Sequence, residues 1–315
     1  MDHLLSDFVI GASAAESMAE FLRHPTVVDL LPHLVPARLS LARPPISNFK
    51  VAAVGLGADG RVFVGVNLEF PGLPLHHSVH AEQFLITNLL AHGCPGLTAV
   101  AVSAAPCGHC RQFLQELRNS SSLQILVLDD EFRPKNKIPN FMPLSEFLPI
   151  PFGPHDLLDH QTPFLLENQQ NKLDLLPETN SPKLTSTNGN LTNKNPQISE
   201  ETETLLREAA LDAANRSHAP YSGCPSGVAL MDCEGKLYKG SYVESAAYNP
   251  SLGPVQAALV AYVAAVSHGG YERIVAAVLV EKEGAKVKQE DTARLLLKAV
   301  SPKCEFHAFH CQSSG

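Results

Sequence analysis

From Lys50 to Gly57 and again from Arg61 to Phe70 apolar residues recur as they do in strands, and Ala58-Asp59-Gly60 between them is a hairpin signal. The period lengthens over His80–His92, where Ala81, Phe84, Leu85 and Leu89 share a helical face and Gly93 marks a stop. An apolar strand over Leu97–Ser103, a helix over Cys107–Arg118 and a strand over Leu123–Leu128 complete the order ββαβαβ. That order predicts an α/β fold, a mixed sheet with helices packed against it, preceded by a short helical lead to about residue 45.

Residues 161–200 break the pattern. They are rich in Asn, Thr, Pro, Ser and Gln, carry too little apolar content to bury themselves, and read as a flexible linker. The linker separates residues 1–160 from 201–315, and the second part repeats the first. At one constant offset Gly60, Gly65, Leu68 and Glu69 fall on Gly235, Gly240, Val243 and Glu244. With one residue inserted, Val79, Ala81, His92, Gly93 and Val102 fall on Val255, Ala257, His268, Gly269 and Val278. Self-similarity of this kind predicts one fold present twice.

Composition narrows the classes of function. With 44% hydrophobic and 18% charged residues the chain reads as a soluble globular protein. A net charge of -8 supplies no basic surface to neutralise phosphates, which argues against a nucleic acid polymer as partner and for a small, weakly charged ligand. No apolar run is long enough to cross a bilayer, so no membrane partner is expected. The first stretch carries Asp2, Asp7, Glu16 and Glu20 before its first basic residue, Arg23, unlike a targeting peptide, and a cytosolic location is the expectation. Seven cysteines, an odd number spread thinly, point to thiols or metal ligands in a reducing compartment.

Two short motifs carry the candidate chemistry. His80-Ala81-Glu82 opens one helix and Pro106-Cys107-Gly108-His109-Cys110 opens the next, so an imidazole and two thiols stand at helix starts, where the backbone favours thiolate. One His and two Cys make three ligands for tetrahedral Zn2+, one ion per chain, leaving a fourth position open for water, the pattern of a catalytic site. Glu82, two residues from His80, can enter such a site without occupying the metal and move protons. The arrangement H-x-E…P-C-x-x-C is the signature of zinc nucleobase deaminases.

With these motifs, Ser47-Asn48-Phe49-Lys50-Val51, Val66-Asn67-Leu68-Glu69-Phe70, Val79-His80-Ala81-Glu82-Gln83, Pro106-Cys107-Gly108-His109-Cys110-Arg111-Gln112-Phe113 and Phe152-Gly153-Pro154 stand in one order. In these segments the chain resembles cytidine deaminases, specifically the two-domain homodimeric type of bacteria and plants. The resemblance implies a three-layer α/β/α fold with a mixed sheet, present twice, and hydrolytic deamination of cytidine or deoxycytidine at C4 with Glu82 as proton shuttle. It further implies Asn67 and Glu69 as the ribose-binding pair, Phe49 packing at the base, and the backbone around Ala81, Ala105 and Cys107 reading the pyrimidine edge. Phe152 resembles the residue that reaches the site of the partner subunit in a homodimer.

In the register of the self-comparison His80, Glu82, Cys107 and Cys110 fall on Gln256, Ala258, Glu283 and Lys286, so residues 201–315 read as a degenerate copy without a zinc site. Tyr242 stands where Asn67 does. His76, His77, His92 and His109 are read as non-ligands. Cys304, His307, His310 and Cys311 form a second candidate cluster, but their alternation with Phe306, Ala308 and Phe309 reads as a terminal strand. Rival readings are a deaminase of a base, nucleotide or polynucleotide, and a zinc-stabilised interaction protein. Glu82 speaks against the latter, since a structural site closes its fourth position with a ligand.

Overall fold

The computed structural model describes residues 7–128, 140–177, 198–266 and 269–314. The first sheet contains β1 (Val9–Ile10), β2 (Ala52–Gly57), β3 (Val62–Val66), β4 (Leu97–Val102), β5 (Gln124–Val127) and β6 (Met142–Pro143), in the order β1-β3-β2-β4-β5-β6. The second contains β7 (Leu173–Leu175), β8 (Ser226–Asp232), β9 (Leu237–Ser241), β10 (Ile274–Lys282) and β11 (Glu305–Ser313), in the order β7-β11-β10-β8-β9. The helices are α1 (Ala12–Phe21), α2 (Val27–Arg38), α3 (Ala81–Ala91), α4 (Gly108–Phe113), α5 (Leu144–Phe147), α6 (Pro154–Leu157), α7 (Glu200–Asn215), α8 (Pro254–Ala265) and α9 (Glu290–Val300).

Both sheets are mixed in the same way: β4 runs parallel to β5 and β10 to β11, while the other pairs are antiparallel. Helix α2 covers β2 and β4 on one face and α3 covers β3 and β2 on the other; α7 and α8 flank β8 likewise. This is the predicted α/β/α layering, twice. Every residue of α3 from Ala81 to Leu89 is buried, and so are most of those in α8. A helix buried around its whole girth must be covered on all sides. The sheet covers one side of α3, and α8 packs on the other, so the two copies share one hydrophobic core.

Two expectations need correction. The stretch 161–200 is not linker throughout. Phe164 and Leu165 are buried, and Leu173–Leu175 pairs with Cys311, Gln312 and Ser313 at the edge of the second sheet. Ser199 caps α7 through its side chain, accepting from the backbone of Thr202. A few apolar residues in a polar stretch suffice to dock it, and an average over the stretch hides them. Residues 178–197 lie outside the described residues.

The second correction concerns the register of the degenerate copy. Gly65 and Gly240 lie directly beneath α3 and α8: a Cβ on Gly65 would stand 2.1 Å from the Ala81 carbonyl oxygen, one on Gly240 2.3 Å from that of Pro254. Bridges pair Leu68 with Val79 in one copy and Val243 with Leu252 in the other. The loop between is therefore shorter in the second copy, not longer, and His80, Glu82 and Gln83 correspond to Gly253, Val255 and Gln256. Further on, Ala53 pairs with Gly65 and Val102 where Val228 pairs with Gly240 and Leu279, so Val102 corresponds to Leu279 rather than Val278. Matching the N-caps of α4 and α9, Cys107 and Gln289, places Thr292 opposite Cys110. The loops changed length between the copies, and matches among Val, Ala and Gly are too permissive to locate such changes. The replacements differ from those predicted; none of the four offers a thiolate, imidazole or carboxylate.

Candidate metal centre and substrate cleft

His80 is the N-cap of α3 and Cys107 that of α4, each with extended backbone just outside its helix. Cys110 lies one turn into α4 and is buried. Helix α3 rests on the hairpin of β2 and β3, while β4 leads into the loop before α4, so both helix starts meet at one end of the sheet. Arg111 holds that loop: its Nε donates to the Pro106 carbonyl at 2.7 Å and its Nη1 to that of Phe147 at 3.0 Å.

The three donor atoms converge. His80 Nδ1 is 3.5 Å from Cys107 Sγ and 3.3 Å from Cys110 Sγ, and the sulfurs are 3.7 Å apart. Tetrahedral zinc separates two thiolate sulfurs by about 3.8 Å and a sulfur from an imidazole nitrogen by about 3.5 Å, given its usual bond lengths. The edges of this triangle fit that ion. Among the described residues these three are the group of His, Cys, Asp and Glu that could hold a metal. His109 stacks on His80, ring centroids 5.0 Å apart.

Charge at the site follows from burial and hydrogen bonding. The bond shared with Cys110, aided by His80, brings the Cys107 thiol down to about 3, while the same bond and burial push Cys110 well up. A coordinated dication deprotonates thiols outright. The contact with Cys107 raises His80, and burial lowers His109. Glu82 is only 6% exposed, its Oε2 lies 3.2 Å from Cys110 Sγ, and burial raises its pKa above the ordinary carboxylate value.

A cleft of about 320 Å³ opens beside these groups. Of the sequence-derived candidates, Phe49, Asn67, Glu69, Ala81, Glu82, His80, Ala105 and Cys107 line it. Phe152 does not; it is half-exposed elsewhere, its carbonyl accepting from Gln112 Nε2. A larger cavity, about 460 Å³, lies between the copies around Asn88, Arg216 and Lys239 and is lined by none of the candidates.

Asn67 and Glu69 are partly engaged. Asn67 Oδ1 accepts from the Val51 backbone at 2.9 Å and Nδ2 donates to the Phe49 carbonyl at 2.8 Å. Glu69 accepts from the backbone of Ile46 and Ser47, both at 2.9 Å, and from Ser47 Oγ at 2.6 Å. An amide NH2 has two donors, its oxygen two acceptor sites and a carboxylate about four, so one donor and one acceptor site remain on Asn67 and one acceptor site on Glu69. Ser47 and Ser78, which also line the cleft, were not singled out from sequence. Ser47 could have been found there, because Ser222 repeats it before Glu244.

Two family models, both described as the cytidine and deoxycytidylate deaminase zinc-binding region, match residues 30–125 and 144–294. Cytidine deaminase 1 of Arabidopsis thaliana is 55% identical over 96% of this chain and 97% of its own length. A cytidine deaminase of Yersinia pestis (strain Pestoides F) is 39% identical over 85% of this chain and 78% of its own length. The crystal structure of cytidine deaminase from Mycobacterium leprae, 30% identical, covers 39% of this chain and 97% of its own, with a TM-score of 0.33. With its zinc-ligand geometry and its two copies of the fold, the chain belongs to the cytidine and deoxycytidylate deaminase family, in the two-domain form of bacteria and plants.

Proposed function

We propose that this protein hydrolyses the C4 amino group of cytidine and deoxycytidine, releasing ammonia and leaving uridine or deoxyuridine. The observation that carries the reading is a buried carboxylate, Glu82, beside a triangle of one His and two Cys that fits zinc with a position to spare. His80, Cys107 and Cys110 would hold the ion. Zinc, when bound, supplies Lewis-acid chemistry that brings the pKa of water from 15.7 to about 7.

Glu82 takes the proton that water gives up, passes it to N3 of the ring, and carries the second proton to the departing amine. Burial moves its carboxyl above the ordinary carboxylate value, the direction that helps a carboxylate take up a proton. Phe49, 62% exposed at the mouth of the cleft, packs on the base. The spare Nδ2 hydrogen of Asn67 and the spare acceptor on Glu69 match one sugar hydroxyl, which both donates and accepts. This pairing favours a nucleoside over a free base, and the negative charge of Glu69 disfavours a phosphate nearby. The net charge of -8 disfavours a polynucleotide.

The same reading includes a homodimer acting in pyrimidine salvage in the cytosol. Ile150, 92% exposed, and Phe152, 48% exposed, support an apolar segment that a second subunit covers. Seven unpaired cysteines suit a reducing compartment. Among the described residues no helix is long and apolar enough to cross a membrane. The test is ultraviolet and ammonia assay across cytidine, deoxycytidine, cytosine and cytidine monophosphate, with zinc measured on the same sample and mass by sedimentation. Turnover of the two nucleosides alone is expected; equal turnover of cytosine would sink the sugar-binding roles.

A further inference from the structure

We infer that the turn from Ser245 to Ser251 of the degenerate copy is a bracket for the metal centre, fastened to both metal-bearing helices by Gln83 and Glu116 as positioning residues. The inference rests on the reading of His80, Cys107 and Cys110 as zinc ligands.

Gln83 follows Glu82 in α3 and is 1% exposed. Its planar amide is used at both ends: Oε1 accepts from the His80 backbone at 3.2 Å, and Nε2 donates to the Pro250 carbonyl at 2.9 Å. A displacement of Pro250 therefore reaches the backbone of a metal ligand through one rigid group. Glu116 lies in the turn after α4, the helix of Cys107 and Cys110, and is fully buried. Its Oε1 accepts from the Ala246 backbone at 2.7 Å; its Oε2 accepts from the Tyr221 hydroxyl at 2.7 Å and contacts His218 Nε2 at 3.3 Å.

Ala246 and Pro250 thus stand in one short segment, and that segment is braced by its own bonds. The Tyr248 backbone donates to the Ser245 carbonyl at 2.8 Å, that of Ser251 to Tyr248 at 2.9 Å, and that of Ser245 to Ser251 Oγ at 3.0 Å. A single stiff turn sets the spacing between the start of α3 and the end of α4. The degenerate copy provides the contrast. Gln256 occupies the place of Gln83, yet its Oε1 is buried without a hydrogen-bond partner, and Gly253 in the place of His80 has no ligand to orient. The two-ended bond is a feature of the working copy and not of this helix start in general.

The full-length chain tests the bracket through Gln83→Leu, Gln83→Glu, Glu116→Gln and, as a control, Arg216→Ala. Gln83→Glu keeps an acceptor for His80 and removes the donor to Pro250. Arg216 donates to the Leu90 carbonyl at 3.4 Å, at the far end of α3. The readouts are the rate at which a chelator strips zinc, kcat and KM measured separately, and the thermal midpoint. In the Gln83 and Glu116 variants zinc should leave about 10-fold faster or more and kcat should fall by a similar factor, with KM for cytidine nearly unchanged, as for other supports of metal ligands. Arg216→Ala should lower the midpoint and leave zinc release and kcat alone. Should Gln83→Leu not fold, Gln83→Glu carries the same comparison. Zinc release and kcat at wild-type values in the folded variants, or equal changes in the control, would overturn the bracket; a wild-type protein that binds no zinc would overturn the metal reading instead.

Discussion

Just before the first strand of each hairpin, β2 in one copy and β8 in the other, the two copies are bonded almost alike. Glu69 accepts from Ile46, Ser47 and the Ser47 hydroxyl, and Glu244 accepts from Tyr221, Ser222 and the Ser222 hydroxyl. Asn48 and Gly223, with φ of 56° and 66°, place the same left-handed residue in the turn. Past that turn the copies part: Cys224 replaces Phe49, Tyr242 replaces Asn67, and Gly253 and Val255 replace His80 and Glu82. The brace survives where no zinc site remains, so it belongs to the fold. A glutamate at this position is therefore no evidence of a ligand site by itself.

The largest effect should come from Glu82→Gln, with kcat reduced by about 10²–10⁴-fold and zinc and fold kept, since the carboxylate proposed to move protons becomes an amide of the same shape while His80, Cys107 and Cys110 stay in place. Retained turnover, followed by loss of cytidine absorbance, would break the assignment. Next come Gly65→Ala and Gly240→Ala, which each press a methyl into helix backbone and should cost about 1–3 kcal/mol or more in denaturant titration. Only Gly65→Ala should also weaken zinc, because α3 carries His80; equal zinc affinity in both variants would show that the sheet does not set the ligand position.

Glu69→Gln and Glu244→Gln sharpen the contrast further. Both should lose about 1 kcal/mol of stability with the brace, and only the first should raise KM for cytidine. The smallest effect concerns pH. Burial tends to raise Glu69, but the Ser47 and Ile46 hydrogen bonds outweigh it and hold the carboxyl below its usual range. Its contribution is therefore present above the unfolded carboxylate value, about 4.3, and lost as pH falls through the lower folded value. Thermal midpoints of wild type and Glu69→Gln should converge over that acid window; a constant gap down to pH 2 would contradict the lowered pKa.

Much of this was legible along the chain because its causes are local. The strand and helix periods predicted ββαβαβ, and His80, Glu82, Cys107 and Cys110 lie in two short motifs whose spacing reflects a helix start. The register of the second copy was not legible, since Gly240 finds its helix across a loop of altered length. Gln83 and Glu116 escaped for a related reason: their partners, Pro250 and Ala246, are 167 and 130 residues away and leave no periodic mark. Phe164, Leu165 and the strand at Leu173 were lost in a stretch whose average is polar.

The packing of α3 on α8 also bears on how the chain is made. Translation adds roughly 5–20 residues each second. Helix α3 therefore emerges on the order of ten seconds or more before α8 exists to cover it. During that interval the newborn first half exposes an apolar helix surface to the crowded interior of the cell, and a ribosome that stalls in the middle of the message leaves it uncovered.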